Sequence, residues 1–142
     1  MNTKVSKLIL TAIVFLVTAA LSYYAVHYFF FKKDNVYSIL KKEAIKINKQ
    51  TPIKLDEETT LDSAVARGEK SFDYYYTLIY KADSVNKDTV AKYVKPTIIA
   101  RLKSNPEMDY FRDNDVTLYY HYLGYDGLPA ATLKITPELY KN

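Results

Sequence analysis

The chain has 142 residues, 49% of them hydrophobic and 25% charged, a formal net charge of +4 and no cysteine. Without cysteine there are no disulfides, no zinc–thiolate sites and no thiol catalysis. Residues 1–50 hold eight Lys against two acids, whereas residues 51–142 come to −2. The basic character therefore belongs to the N-terminal part, and the remainder gives no electrostatic reason to bind nucleic acid.

Met1 to Lys7 is a short basic tail (residues 1–7). Leu8 to Phe31 follows without a formal charge and is closed by Lys32 and Lys33. As a helix these residues reach roughly 36 Å, against a hydrocarbon core of about 30 Å. Tyr23, Tyr24, Tyr28 and Phe29 to Phe31 crowd the C-terminal end, where aromatic rings suit the headgroup boundary. Residues 8–31 are thus predicted as a transmembrane helix in contact with the lipid bilayer. An uncleaved signal-anchor fits better than a cleaved signal peptide, because apolar character continues past the small residues Thr18-Ala19-Ala20. The expected topology is single-pass in the cytoplasmic membrane, N-terminus inside and the C-terminal domain periplasmic. Secretion after signal cleavage is the alternative.

Residues 32–50 read as a juxtamembrane amphipathic helix. Val36, Leu40, Ala44 and Ile47 share one face, Lys41, Lys42, Lys46 and Lys49 take another, and Thr51-Pro52 ends it. No Gly or Pro separates it from the span, so the two are expected to run as one rod. The domain proper is expected over 51–142. Ile53 to Arg67 alternates loosely and reads as one long, bent or bulged strand, with Ile53, Leu55, Thr59, Leu61 and Val65 on one parity. Arg67-Gly68-Glu69-Lys70 is a turn into the strand Ser71 to Tyr80. A helix opens at Asn86 or Asp88 and runs to Lys103, with Val90, Val94, Ile98 and Leu102 facing inward and a kink or break at Pro96. Val116 to Leu123 is the third strand, Gly124-Tyr125-Asp126-Gly127 a turn, and Ala131 to Ile135 the fourth strand. The predicted fold is α+β. An N-terminal transmembrane helix continues into an amphipathic helix, followed by a four-stranded antiparallel sheet (β-β-α-β-β) with a helix packed on one face.

Several stretches carry a resemblance. Pro52-Ile53-Lys54-Leu55-Asp56 with Thr60-Leu61-Asp62, Tyr74-Tyr75-Tyr76-Thr77-Leu78, Asn105-Pro106-Glu107-Met108, and Val116-Thr117-Leu118-Tyr119-Tyr120 with Asp126-Gly127 are the segments concerned. Together they resemble a family of small uncharacterised bacterial membrane-anchored or secreted proteins, over roughly residues 45–140. Relatives often carry one cysteine ahead of the Asn-Pro segment and another near the C-terminus. Here Leu102 to Ser104 has none, and Tyr140 stands near the second position. The resemblance implies no activity.

Tyrosine is the compositional anomaly, with 15 residues and no Trp. One strand parity (Tyr74, Tyr76, Tyr120, Tyr122) is expected in the core. The other (Tyr75, Tyr119 and His121) is the candidate interaction surface, an exposed aromatic platform for a protein partner, a peptide or a sugar. His121 lacks the further ligands a metal site needs, and as a general base it would require an orienting acid. Asp113-Asn114-Asp115 lacks the Gly and distal Glu of a calcium loop and reads as a turn. Asp56-Glu57-Glu58 has no partner constellation for hydrolysis. No catalytic, cofactor or metal residues are assigned. The expectation is a non-enzymatic, single-span protein whose extracytoplasmic domain is an accessory or protein-binding subunit. The alternative is an anchored or secreted domain that binds a small ligand or cell-wall glycan through the aromatic face.

Overall fold

The computed structural model describes residues 35–141 together with Thr18, Ala19 and Ser22, which are helical. Apart from those three, the span expected over 8–31 lies outside the described residues, among which no helix is long and apolar enough to cross a membrane.

Helix α1, Val36–Asn48, is capped by Asn35, whose side chain accepts the Ser38 N–H at 2.8 Å. Asn35 itself has extended backbone (φ −61°, ψ 152°), so α1 begins afresh at Val36. This corrects the expectation of one continuous rod: an Asn that caps a helix cannot also continue one through its own extended backbone. The apolar stripe read from the sequence faces inward, with Leu40 and Ala44 buried and Val36 and Ile47 packed beside them.

The predicted strand over 53–67 divides into β1, Ile53–Lys54, and β2, Thr59–Arg67, which pair antiparallel as a small hairpin. The acidic run is what breaks it. Asp56 accepts the Glu58 N–H at 2.8 Å and Leu55 N–H reaches the Thr59 carbonyl at 2.9 Å, closing a turn where alternation suggested continuity. A bulge at Asp62 then moves the buried parity from Leu61 to Ala64 and leaves Val65, expected inward, 42% exposed. The bulged Asp62 accepts the Thr77 hydroxyl at 2.7 Å. Gly68, at φ +61°, makes the turn into β3, Ser71–Leu78.

Between β3 and the next strand lies a helical crossover. A 3-10 turn, Ala82–Ser84, leads to α2, Lys87–Thr89, capped by Asn86, then to a π turn, Val90–Val94, and α3, Lys95–Ser104. The break foreseen at Pro96 takes the form of that π turn: Lys95 N–H bonds to the Val90 carbonyl, five residues back, just before the residue that lacks a donor. A second 3-10 turn, Pro106–Met108, and α4, Asp109–Asp113, follow. Strand β4, Thr117–Leu123, pairs parallel with β3, and β5, Pro129–Ile135, pairs antiparallel with β4. The sheet is therefore five-stranded and mixed, in the order β1-β2-β3-β4-β5, and not the four-stranded antiparallel sheet expected. A crossover of this length returns the chain to the end where β3 began, so the next neighbouring strand must run parallel. Helix α5, Pro137–Tyr140, closes the domain.

Alternation sorts the strands into two faces. Leu61, Ala64, Phe72, Tyr76, Leu118, Tyr120, Leu133 and Ile135 form the core with Leu40, Leu102, Phe111, Val116 and Tyr140. At the other end of the crossover the chain is tightly fitted: a Cβ added to Gly124 would stand 2.3 Å from the Ala82 nitrogen. Only glycine lets the β4–β5 turn seat against the 82–84 turn.

Candidate functional site: a tyrosine-floored cleft and the opposite sheet face

The helical crossover packs against the sheet only in part: Val90, Val94 and Ile98 touch the core without being enclosed by it. Of the residues whose four-residue spacing points them inward, only Leu102 is fully buried; Val90, Val94 and Ile98 stay half-buried. Between them and the sheet lies a cleft of about 880 Å³. Its floor is Tyr74, Tyr76, Tyr120 and Tyr122, and its wall is Val90, Val94, Thr97, Ile98 and Arg101. At one end it is bounded by Leu55, Asp56, Glu58 and Tyr80, and Asn105, Glu107 and Met108 also line it. Because the crossover runs back along β3, the cleft extends along the strands. The stretch from Lys87 to Ser104 spans roughly 27 Å at helical rise.

These are the tyrosines assigned to the core from sequence. Tyr76 and Tyr120 are 7% and 8% exposed, and their rings join a ladder: Tyr74 to Tyr120 at 5.2 Å and Tyr76 to Tyr122 at 5.1 Å between centroids. Burial pushes the hydroxyls of Tyr76 and Tyr120 well above the ordinary phenol value. Neighbouring tyrosines add to this and Arg101 opposes it. Burial raises Tyr74 as well, helped by Glu43, and it raises Tyr122 to about 12, helped by Asp56. Arg101, on the wall, thus acts on Tyr76 and Tyr120, and Asp56 acts on Tyr122.

The folded-state values are raised, so the contribution of these groups to stability is fully present below about pH 10 and is lost as pH rises through 12. In a tyrosinate absorbance titration the four should stay silent through pH 11 and appear only with alkaline unfolding. A single smooth titration of all 15 tyrosines in the folded protein would contradict the packing described.

On the opposite face the structure brings the three predicted residues together. Tyr75 on β3 and His121 on β4 are register partners with rings stacked at 4.7 Å and 17°. Tyr119 lies 6.1 Å from His121 at 5°, with the Lys134 ammonium 5.8 Å from its centroid. Ring faces are thus turned to one another and to a cation, which leaves mainly ring edges to a sugar. Beneath them is a group the sequence reading missed. Asp73 on β3 is fully buried although it belongs to the solvent-side parity. Its Oδ1 is 2.7 Å from His121 Nε2, and its Oδ2, without a hydrogen bond, is 3.5 Å from Arg67 Nε. Arg67 in turn donates to the Tyr75 hydroxyl at 2.9 Å. The signal was present: Asp73 lies two residues before Tyr75, so it shares a face with the one histidine that wanted an acid.

His121 Nδ1 also lies 3.3 Å from Thr132 Oγ1. Acid, imidazole and hydroxyl in that order are the parts of a nucleophilic triad. Here the three sit on an open sheet face, and none of them lines the cleft, which opens on the other side. The arrangement gives the buried Asp73 carboxyl one hydrogen bond, between Oδ1 and His121, and leaves Oδ2 facing Arg67. Among the described residues no three His, Cys, Asp or Glu side chains converge on a metal position. Asp113-Asn114-Asp115 forms the turn into β4, with Asn114 donating to the Tyr110 carbonyl and Asp115 at φ +58°.

A family model described as "Domain of unknown function (DUF8479)" matches residues 35–127. No curated protein matches the chain. Among solved structures, a "putative secreted protein" of Pseudomonas aeruginosa is similar at 14% identity and a TM-score of 0.64, covering 75% of this chain and 93% of that one. The type II secretion system pilotin AspS of Vibrio cholerae is similar at 15% identity and 0.57, covering 79% and 98%. The pilotin EpsS of the Vibrio vulnificus type 2 secretion system is similar at 10% and 0.61, covering 78% and 96%. At these identities the likeness is one of fold.

Proposed function

We propose, for a chain that belongs to the family Domain of unknown function (DUF8479), that it is a non-enzymatic accessory protein. Its α+β domain holds a segment of a protein partner in the cleft between the crossover helices and the sheet. The observation that carries this reading is the unfilled inner face of the crossover, where Val90, Val94 and Ile98 stand half-buried over a tyrosine floor. These residues touch the core, but a domain that needed only to fold would press such a helix fully onto the sheet and close the gap. A cavity of this size suits a small ligand too, but its length along the crossover favours a polypeptide. The pilotins share this fold, which agrees with an accessory role. In this reading residues 8–31 anchor the chain in the cytoplasmic membrane as a single span, and the domain works outside the cytoplasm.

Tyr75, Tyr119 and His121 form a second contact surface on the uncovered sheet face. It is favoured by their convergence on one solvent-side patch. With ring faces already occupied, protein contact suits it better than stacking on a glycan.

Both surfaces are tested by co-purification from membranes in mild detergent, comparing the wild type with Val94→Lys and with a Tyr75→Ala/Tyr119→Ala variant. Val94→Lys places a charge over the tyrosine floor and is expected to remove at least about nine-tenths of the retained partner, a loss of roughly 1.4 kcal/mol or more. The reading fails if Val94→Lys retains the partner fully while the chain remains folded, or if the wild-type chain comes through alone at every salt concentration.

A further inference from the structure

One end of the cleft is rimmed by exposed apolar side chains and carboxylates. Where it meets the 55–58 turn the protein exposes large apolar side chains: Leu55 at 53%, Ile79 at 57%, Tyr80 at 44%, Tyr125 at 59% and Leu128 at 59%. The backbone holds these at one end of the sheet, because Ile79 N–H bonds to the Glu58 carbonyl, Tyr125 N–H to the Tyr80 carbonyl and Gly124 N–H to the Leu128 carbonyl. The same end is acidic. Asp56, Glu57, Glu58, Asp83 and Asp126 are exposed there, against Lys54 and Lys81. Asp56 and Glu58 line the cleft itself, and Glu58 accepts the Tyr80 hydroxyl at 2.7 Å, which holds its carboxylate at the mouth.

An exposed apolar patch continuous with an apolar cleft marks a docking surface, and its charge selects the partner. An anionic bilayer surface would be repelled by five carboxylates beside the patch. We propose, building on the cleft reading above, that the occupant is one amphipathic polypeptide segment. Its apolar residues fill the tyrosine-floored cleft, and lysine or arginine residues at one of its ends meet Asp56 and Glu58 at the mouth. The segment continues over Ile79 and Leu128 as it leaves.

The test is selection from a random display library of peptides about 16 residues long, roughly 24 Å as a helix. The bait is the full chain in mild detergent, with counter-selection on the Ile98→Glu variant. Thermal unfolding establishes that each variant is folded, and Val90→Glu replaces Ile98→Glu if the latter is not. The recovered peptides should be apolar with Lys or Arg clustered toward one end. They should bind Asp56→Lys/Glu58→Lys about tenfold more weakly than wild type, a difference that shrinks at high salt. Cleft-dependent peptides without a basic bias, or with undiminished affinity for the double variant, would overturn the charge assignment and leave the cleft reading standing. Recovery of no cleft-dependent peptide would overturn both. Binding of the domain to phosphatidylglycerol vesicles, abolished by Leu128→Ser, would assign the patch to lipid instead.

Discussion

Tyr140→Ala is expected to destabilise the domain by about 3–5 kcal/mol, a large part of the 5–15 kcal/mol typical of a domain's whole stability. Tyr140 sits three residues after Pro137 in a four-residue helix, yet it is 1% exposed. Its hydroxyl donates to the Val116 carbonyl at 2.6 Å and lies 3.3 Å from the Phe111 carbonyl. One side chain therefore ties the C-terminal helix to the end of α4 and the start of β4. It stands where the resembling proteins often have a cysteine, and α5 packs against α3, the helix that holds Leu102 to Ser104. Ring burial and hydrogen bonds to the Phe111 and Val116 carbonyls hold α5 here. The two contributions are separable. Tyr140→Phe keeps the ring and leaves buried carbonyls short of a donor, at about 1–3 kcal/mol. Urea unfolding of both variants measures the difference, and a Tyr140→Ala midpoint indistinguishable from wild type would refute the anchor. Burial, with Asp115 and Glu138 nearby, raises the Tyr140 hydroxyl to about 12. Its contribution is therefore intact below about pH 10 and lost as pH rises through 12.

What could be read ahead of the structure was set by local periodicity. The α1 stripe, the turn at Gly68, the β3 alternation and the break at Pro96 are all consequences of neighbours within about four residues. The misreadings are non-local or depend on one polar side chain. Asp56 turning back on Glu58 split one strand into two, and the bulge, expected in this stretch but not at a stated residue, falls at Asp62 and reverses the faces after it. The parallel pairing of β3 with β4 belongs to the crossover as a whole. The cleft was the least legible feature. Val90, Val94 and Ile98 have the spacing of core residues whether or not a helix comes down onto its sheet, and the same is true of Tyr74 and Tyr122. Parity puts Tyr75, Tyr119 and His121 on one face, but it does not report that their rings face each other, or that Asp73 lies beneath them.

Asp73 also carries the other large effect. His121→Leu is expected to cost about 3 kcal/mol and Asp73→Leu distinctly less, with the double variant close to Asp73→Leu alone. The asymmetry follows from exposure. The Asp73 side chain is 1% exposed, whereas those of His121 and Arg67 are 23% and 64% exposed. Removing His121 strands a buried carboxylate whose other neighbour, Arg67, is 3.5 Å away and already donates to Tyr75. Removing Asp73 leaves an imidazole that still reaches solvent and Thr132 at 3.3 Å, and an arginine that is mostly in water. Breaking a fully buried pair costs about 3–5 kcal/mol, and the partial exposure of His121 puts this one at the lower end. Denaturant unfolding of the wild type, both single variants and the double variant completes the cycle. Coupling of at least about 1.5 kcal/mol, with His121→Leu the more damaging single change, is the expected result. Additive effects, or a more damaging Asp73→Leu, would mean that Asp73 is held by the sheet and not by His121. The stacked Tyr75 and His121 rings would then have no buried charge to position them.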